Sequence, residues 1–370
     1  MRKLFSLGLA MLLAGTLTGC AAAEDARTGQ RGGNTVTENV QNTENVQNTK
    51  KPQNTEAAGR EEGTENLSET GTDDMAETEA GGSVVYMTTD ISTKGLLDIY
   101  SALREGDMGA PGEHVAVKIS TGENGSNYLR PELIGDLVRQ IEGTIVECNT
   151  AYGGDRANTA YHMQLAEDHG YTDIANVDIM DADGSMTLPV SGGRHLTENY
   201  VGSHFADYDY YVVLSHFKGH AMAGYGGAIK NISIGIASSD GKSHIHSGGT
   251  GGSMWGGDQD AFLESMAEAG KSVTDYLDGH ILYINVMNRL SVDCDCDSNP
   301  AEPDMHDIGI LASYDPVALD QACVDLVYNA EDGASLIERI ESRNGLLTLE
   351  HAEEIGLGSR EYSLVSIDGE

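Results

Sequence analysis

Residues 209–215 read DYYVVLS, and residues 215–231 read SHFKGHAMAGYGGAIKN. The first stretch is dense in β-branched and aromatic side chains and is a strong strand. Outward from it, residues 114–120 (HVAVKIS) alternate and form a second strand, and residues 144–147 (TIVE) form a short third. Val177–Met180, Ile281–Val286 and Ile308–Ala312 extend the set. Helical patterns lie between them. Pro131 opens one that carries Leu133, Ile134, Leu137, Val138 and Ile141 on one face, and Ala157–His169, Phe262–Val273 and Pro316–Val327 give others. This β-α-β-α rhythm predicts an α/β fold with a mostly parallel sheet flanked by helices. Ligands in such folds sit past the carboxyl ends of the strands, so the loops after Glu147 and Ser215 are the first places to expect a site.

The loop after Ser215 gathers His216, Lys218, His220 and Lys230 with many glycines. Gly226 and Gly227 let a backbone approach a ligand and turn N–H groups toward an anion. Lys230 follows them, placed to meet an anion or, if desolvated, to act as base or nucleophile. Asn231 closes the stretch, and Asn149 and Arg156 lie near the other strand end. His216 and His220 are expected as acid–base or metal-binding groups. Residues 241–246 (GKSHIH) hold His244 and His246, which point the same way if that segment is extended and would then form a metal-ligand pair. A surface loop with scattered histidines is the bland alternative.

Residues 293–297 (DCDCD) follow the Ile281–Val286 strand. Cys294 and Cys296, with Cys323 on the next helix or with His306, suit zinc or iron. A Cys294–Cys323 or Cys296–Cys323 disulfide is the competing expectation. Cys148 reads as a small buried hydrophobe.

The 370 residues carry 59 acidic and 22 basic side chains, a formal net charge of −37. Too few cations remain to build a nucleic-acid-binding stripe, and anionic membrane surfaces are disfavoured for the same reason. Residues 1–19 read as a signal peptide: Arg2 and Lys3, a short apolar core broken by Gly8, Gly15 and Thr16, then LTGC at 17–20. LTGC resembles a bacterial lipobox, which implies lipidation of Cys20 and an extracytoplasmic protein anchored to the cell membrane. Residues 20–82 are a polar tether with little to bury, in which TENVQN occurs twice, at 37–42 and 43–48. Residues 83–370 are expected to form one α/β domain. From Val84 onward there are 46 acidic and 15 basic residues, so a net −31 belongs to this domain.

From about His114 to Asn329 the chain resembles the domain of unknown function 362 family, many of whose members are named iron–sulfur centre proteins. The matching motifs are YLRPEL at 128–133, NTAY at 149–152 with Arg156, HFKGH at 216–220, Gly224–Asn231, Gly241-Lys242, DCDC at 293–296 and DPVALDQA at 315–322. Many relatives carry a cysteine-rich insert soon after the position of His246. Here residues 247–260 (SGGTGGSMWGGDQD) stand instead, and five cysteines cannot hold two clusters. The resemblance therefore implies at most one iron–sulfur centre or a single divalent metal.

A more distant resemblance is to the lactate racemase family, carried by His220, Lys230 and His246 at spacings of 10 and 16, with AGY at 223–225 and GIA at 235–237. It implies a nickel-pincer nucleotide on Lys230, His246 as nickel ligand, His220 as acid–base group and a 2-hydroxy acid as substrate. Ala228-Ile229 precede Lys230 where that family shows Gly-Arg, so the phosphate contacts do not carry over. Arg2-Lys3 is not a twin-arginine pair, so export in the unfolded state is expected, which disfavours a nucleotide attached to a folded site. Three functions compete: a metal- or cofactor-dependent enzyme acting on a small anion, a non-catalytic ligand- or metal-capturing lipoprotein, and a redox accessory centred on the cysteines.

Overall fold

The computed structural model describes residues 82–369; the expected signal peptide, the expected lipidation site Cys20 and nearly all of the expected tether lie outside them. In chain order the elements are β1 (Ser83–Thr88), α1 (Thr93–Leu103), β2 (Val115–Lys118), α2 (Pro131–Gln140), β3 (Thr144–Glu147), α3 (Thr159–Asp168), β4 (Val177–Ile179), β5 (Ser185–Pro189) and β6 (Glu198–Gly202). There follow β7 (Tyr210–His216), β8 (Lys218–His220), β9 (Gly224–Gly226), α4 (Ala228–Ser233), α5 (Ser239–His246), α6 (Gln259–Leu277), β10 (Ile281–Met287) and β11 (Gly309–Ser313). The chain ends with α7 (Pro316–Tyr328), α8 (Ala334–Ser342), α9 (Leu347–Glu354) and β12 (Tyr362–Ser366).

Eight strands form one sheet in the order β12-β1-β11-β10-β7-β2-β3-β4. Every neighbouring pair is parallel except the two made by β11, which runs antiparallel to β1 and to β10. The expected α/β fold with a mostly parallel sheet is what the chain adopts.

All seven residues of β7 are buried, and their alternation explains why. Val212 and Leu214 pack with Leu96 and Ile99 of α1 and Ile134, Leu137 and Val138 of α2. Tyr211 and Val213 face the other way, toward Ile229 and Ile232 of α4 and Val317, Ala318 and Leu319 of α7. A strand covered by helices on both faces needs apolar residues at every position, which is the run that marks it in the sequence.

The order of the strands sets where a ligand can enter. From β2 the chain steps outward to β3 and β4, then returns to place β7 on the other side of β2 and steps outward again to β10. This reversal between β2 and β7 leaves a crevice past their carboxyl ends.

Several elements differ from the sequence reading. Residues 241–246 belong to helix α5, whose N-cap Ser238 accepts the Gly241 N–H, and not to an extended segment. The loop after Ser215 folds into the small β8–β9 hairpin and helix α4. The helix expected over 157–169 begins later, because Asn158 caps α3 through the N–H groups of Ala160 and Tyr161. Among the described residues no helix is long and apolar enough to cross a membrane.

Candidate functional site

At the reversal between β2 and β7 lies a cavity of about 210 Å³. Its walls come from the carboxyl ends of β2, β3 and β7, from the β8–β9 hairpin, α4 and α5, and from the Cys294–Cys296 turn after β10. Lys118, Lys218, Lys230, Lys242 and Arg156 all line it, against only Glu147 and Asp295. In a chain of net charge −37 this is a concentrated patch of cations.

Most of these cations are tied down. Lys118, the last residue of β2, is fully buried. Its Nζ donates to Glu147 Oε1 and to Asn231 Oδ1, both at 2.9 Å. Burial opposes ionisation of Glu147, but Lys118, Lys242, His162 and Arg156 outweigh it and hold the carboxyl at about 2. Lys218 Nζ lies 2.9 Å from Asp295 Oδ2. Arg156 pairs with Glu123 at 2.7 Å. Lys242 Nζ donates to the carbonyl of Ala237 at 2.6 Å and meets no carboxylate among the described residues.

Lys230 stands apart. Its side chain opens on the cavity, and no hydrogen bond from its Nζ supports the charged form among the described residues. Burial, then repulsion from Lys218, drives its pKa from 10.5 to about 7. Such an amine is half free base near neutral pH and is suited to proton transfer or nucleophilic attack.

Two backbone amides that follow the Gly-rich turn are taken by a carboxylate of the protein. Ala228 N–H and Ile229 N–H donate to Asp320 Oδ1 and Oδ2 at 2.8 and 3.0 Å, and Asn285 Nδ2 donates to the same carboxylate at 2.7 Å. A Cβ on Gly227 would sit 2.3 Å from Asp320 Oδ1, so the glycine admits the protein's own carboxylate. The anion that the two amides just past Gly226 and Gly227 would attract is thus supplied by the chain itself. Burial raises Asp320 to about 6 despite these donors.

The histidines divide by hydrogen bonding. His220 Nδ1 accepts the N–H groups of Met222 and Ala223, closing the β8–β9 turn, at 3.1 and 2.9 Å. A neutral ring then carries its proton on Nε2. His246 has the opposite tautomer: Nδ1–H donates to the Lys242 carbonyl at 2.7 Å, leaving the Nε2 lone pair bare. Burial depresses both, His220 far below its ordinary value and His246 to about 4. The cavity is thus lined by one imidazole that can donate and one that can accept.

His216 is committed elsewhere. Its Nδ1 faces both Asp295 oxygens at 3.0 and 3.1 Å and its Nε2 faces the Asn288 carbonyl at 2.7 Å. With both nitrogens engaged it anchors the cysteine turn and has no free nitrogen for acid–base work. His244 is not paired with His246. Two residues apart on helix α5 they point about 200° from one another, and His244 packs against Tyr200 instead.

Cys294 and Cys296 are joined to each other as a disulfide, whereas Cys148 and Cys323 are free and buried. The expected bridge from Cys323 does not form. Cys323 sits in the core on α7, where its sulfur accepts from Asn285 Nδ2. A ring nitrogen of His220 and the two sulfurs of Cys294 and Cys296 lie within 4.8 Å of one another, a group that could hold a metal ion with the sulfurs reduced. Ligation by His220 Nε2 would require its proton on Nδ1, which faces two N–H donors. His306 is exposed and bonded to Asp332, remote from this group.

Asn231 lines the cavity and bridges Lys118 to Ser215, while Asn149 does not line it and instead bonds Thr159 and His162. Lys118, Lys242 and Asp320 were missed as site residues. Lys118 had one signal: a charged residue in a strand that is otherwise apolar at every inward position. Met254 and Trp255, from the Gly-rich segment after α5, close the outer wall.

A family model described as "Domain of unknown function (DUF362)" matches residues 115–325. No curated protein matches the chain. Among solved structures, the lactate racemase apoprotein from Thermoanaerobacterium thermosaccharolyticum is similar at 12% identity and a TM-score of 0.40, over 66% of this chain and 57% of that one. A protein from Thermotoga maritima is similar at 12% identity and a TM-score of 0.37, over 72% of this chain and 60% of that one. The matched part spans less than two thirds of either structure. The family match covers more than half of the 370 residues and takes in every residue that lines the cavity, and the chain therefore belongs to the DUF362 family.

Proposed function

We propose that the protein binds a small anionic molecule of the hydroxy-acid type in this cavity and moves a proton on it. The observation that carries the reading is Lys230, an amine without a partner among the described residues and with a pKa of about 7, set among four other cations. Lys242, Lys218 and Arg156 supply the field that draws the anion in. Lys230 as free base takes the proton. His220, with Nε2–H available, donates to the oxygen on which charge collects. His246 Nε2 offers a lone pair beside it, as a second base or as a ligand for a divalent metal, which would polarise the bound oxygen.

Trp255 is the chain's single tryptophan and lines the cavity, so its fluorescence reports binding directly. Titration with lactate, malate and inorganic phosphate is expected to give a saturable change with a hydroxy acid. Lys230→Gln should weaken it at least about tenfold, in line with a lost charge-assisted contact, while the exposed Lys94→Gln leaves it unchanged. A flat titration with every hydroxy acid, or unchanged affinity in Lys230→Gln, refutes the reading.

A second reading, a redox accessory holding one metal or iron–sulfur centre, is favoured by the closeness of His220, Cys294 and Cys296. Metal analysis of protein purified under reducing conditions decides it. The lipid anchor at Cys20 and display outside the cell membrane are part of the same proposal, supported by LTGC at 17–20 and the polar tether. The mass of the mature N-terminal peptide tests them.

A further inference from the structure

The Cys294–Cys296 bridge is not needed for the proton chemistry above. Cys294 is 6% exposed, Cys296 is open to solvent, and both line the cavity. Between them Asp295 is buried and held by Lys218 at 2.9 Å and His216 at 3.0 Å. Arg339 binds the Val292 carbonyl and Asp293 on the preceding side. The turn is therefore clamped while one sulfur faces outward. A bridge across a single intervening residue closes almost no loop, so it removes little entropy from the unfolded chain and is poorly explained as a structural staple.

We propose that Cys294–Cys296 is a thiol–disulfide exchange centre whose substrate is a small anionic thiol. The thiolate attacks the exposed Cys296 sulfur, forming a mixed disulfide as the Cys294–Cys296 bond breaks and its electron pair leaves on Cys294. A second thiolate attacks the substrate sulfur of that mixed disulfide, releasing substrate disulfide and leaving Cys296 as thiolate. In sum, two substrate thiols are oxidised, the bridge is reduced to two cysteine thiols, and the two thiol protons pass to them. Lys218 and Lys242 on the cavity wall draw in the anionic thiol, and Lys218, held at Asp295 next to Cys294, favours the leaving thiolate. The lysines thereby select substrate by charge.

The test uses the full chain in its oxidised form. It is mixed with reduced glutathione, an anionic thiol, or with cysteamine, a cationic one, then quenched by alkylation and mapped by peptide mass. Rates are compared at equal thiolate concentration. Glutathione is expected to open the bridge at least about tenfold faster, the scale of electrostatic steering. Cys294→Ser treated with oxidised glutathione should capture it at Cys296, and Cys296→Ser should capture little at the buried Cys294. Equal rates for the two thiols, a bridge that resists both, or isolated protein with two free thiols that releases zinc on acidification would each overturn the proposal. If Cys294→Ser does not fold, the wild-type rate comparison decides alone. The cavity's anion binding, read by Trp255, is measured separately and stands or falls independently.

Discussion

Lys230 gives the most direct quantitative prediction. An ordinary lysine with a pKa of 10.5 has roughly one part in 3,000 as free amine at pH 7, whereas Lys230, near 7, has about half. Burial, then repulsion from the neighbouring Lys218, causes the difference. Amine nucleophilicity falls with basicity and returns part of this advantage, so about a hundredfold faster acylation than at an exposed lysine is expected. The assay is brief labelling with acetic anhydride across pH 5–10, followed by peptide mass mapping. Lys94, which is largely exposed, serves as the internal standard. Lys230 should be modified first, with a midpoint near pH 7, and a bound anion should protect it and move the midpoint upward. A midpoint near 10, or labelling no faster than at Lys94, would refute the account of a desolvated, unpaired amine.

The same shift predicts a stability effect. The unfolded chain binds more protons at this position between about pH 7 and 10.5, so Lys230 weakens the fold below pH 7 and the penalty fades as pH rises through that window. Lys230→Met should raise Tm at pH 6 and have little effect at pH 10, as measured by calorimetry. Asp320 works in the opposite sense: its pKa is raised from 3.8 to about 6, so its contribution to stability falls as pH rises from about 4 to 6. Asp320→Asn should remove that slope and cost about 1–3 kcal/mol in urea unfolding, because one amide group cannot accept from all three donors. Gly227→Ala places a methyl group 2.3 Å from the Asp320 carboxylate and should cost about 1–3 kcal/mol by the same measurement.

Legibility in the sequence followed burial. β7 and β10 were plain because both faces of each are covered, which demands unbroken apolar runs. β12 was invisible, since Leu364 and Val365 on this edge strand are exposed and its pattern is that of a loop. The β5–β6 hairpin is hidden by the exposed, polar residues of β5 and by the polar and Gly positions of the shorter apolar run in β6. Within the site, the composition of the loop after Ser215 marks a stretch that lines the cavity, but the bonding of its side chains depends on distant partners. Nothing near His216 announces that Asp295 will occupy its Nδ1, and nothing near Gly227 announces Asp320. Helix α5 is hard to read because Ser, Gly and His carry weak helical signals, and the deciding cap comes from Ser238 outside the motif.

The carboxylate of Asp320 has one wider consequence. Because it occupies the amides at the start of α4, the scaffold has in effect supplied its own carboxylate there. Recognition of any incoming molecule falls to side chains, chiefly ammonium groups, which read charge with little demand on shape. Fold and selectivity are then written in separate parts of the chain. If the cavity binds an anion as proposed, Lys230 and Lys242, which pair with no carboxylate among the described residues, are the lysines whose exchange changes the preference without stranding a buried carboxylate.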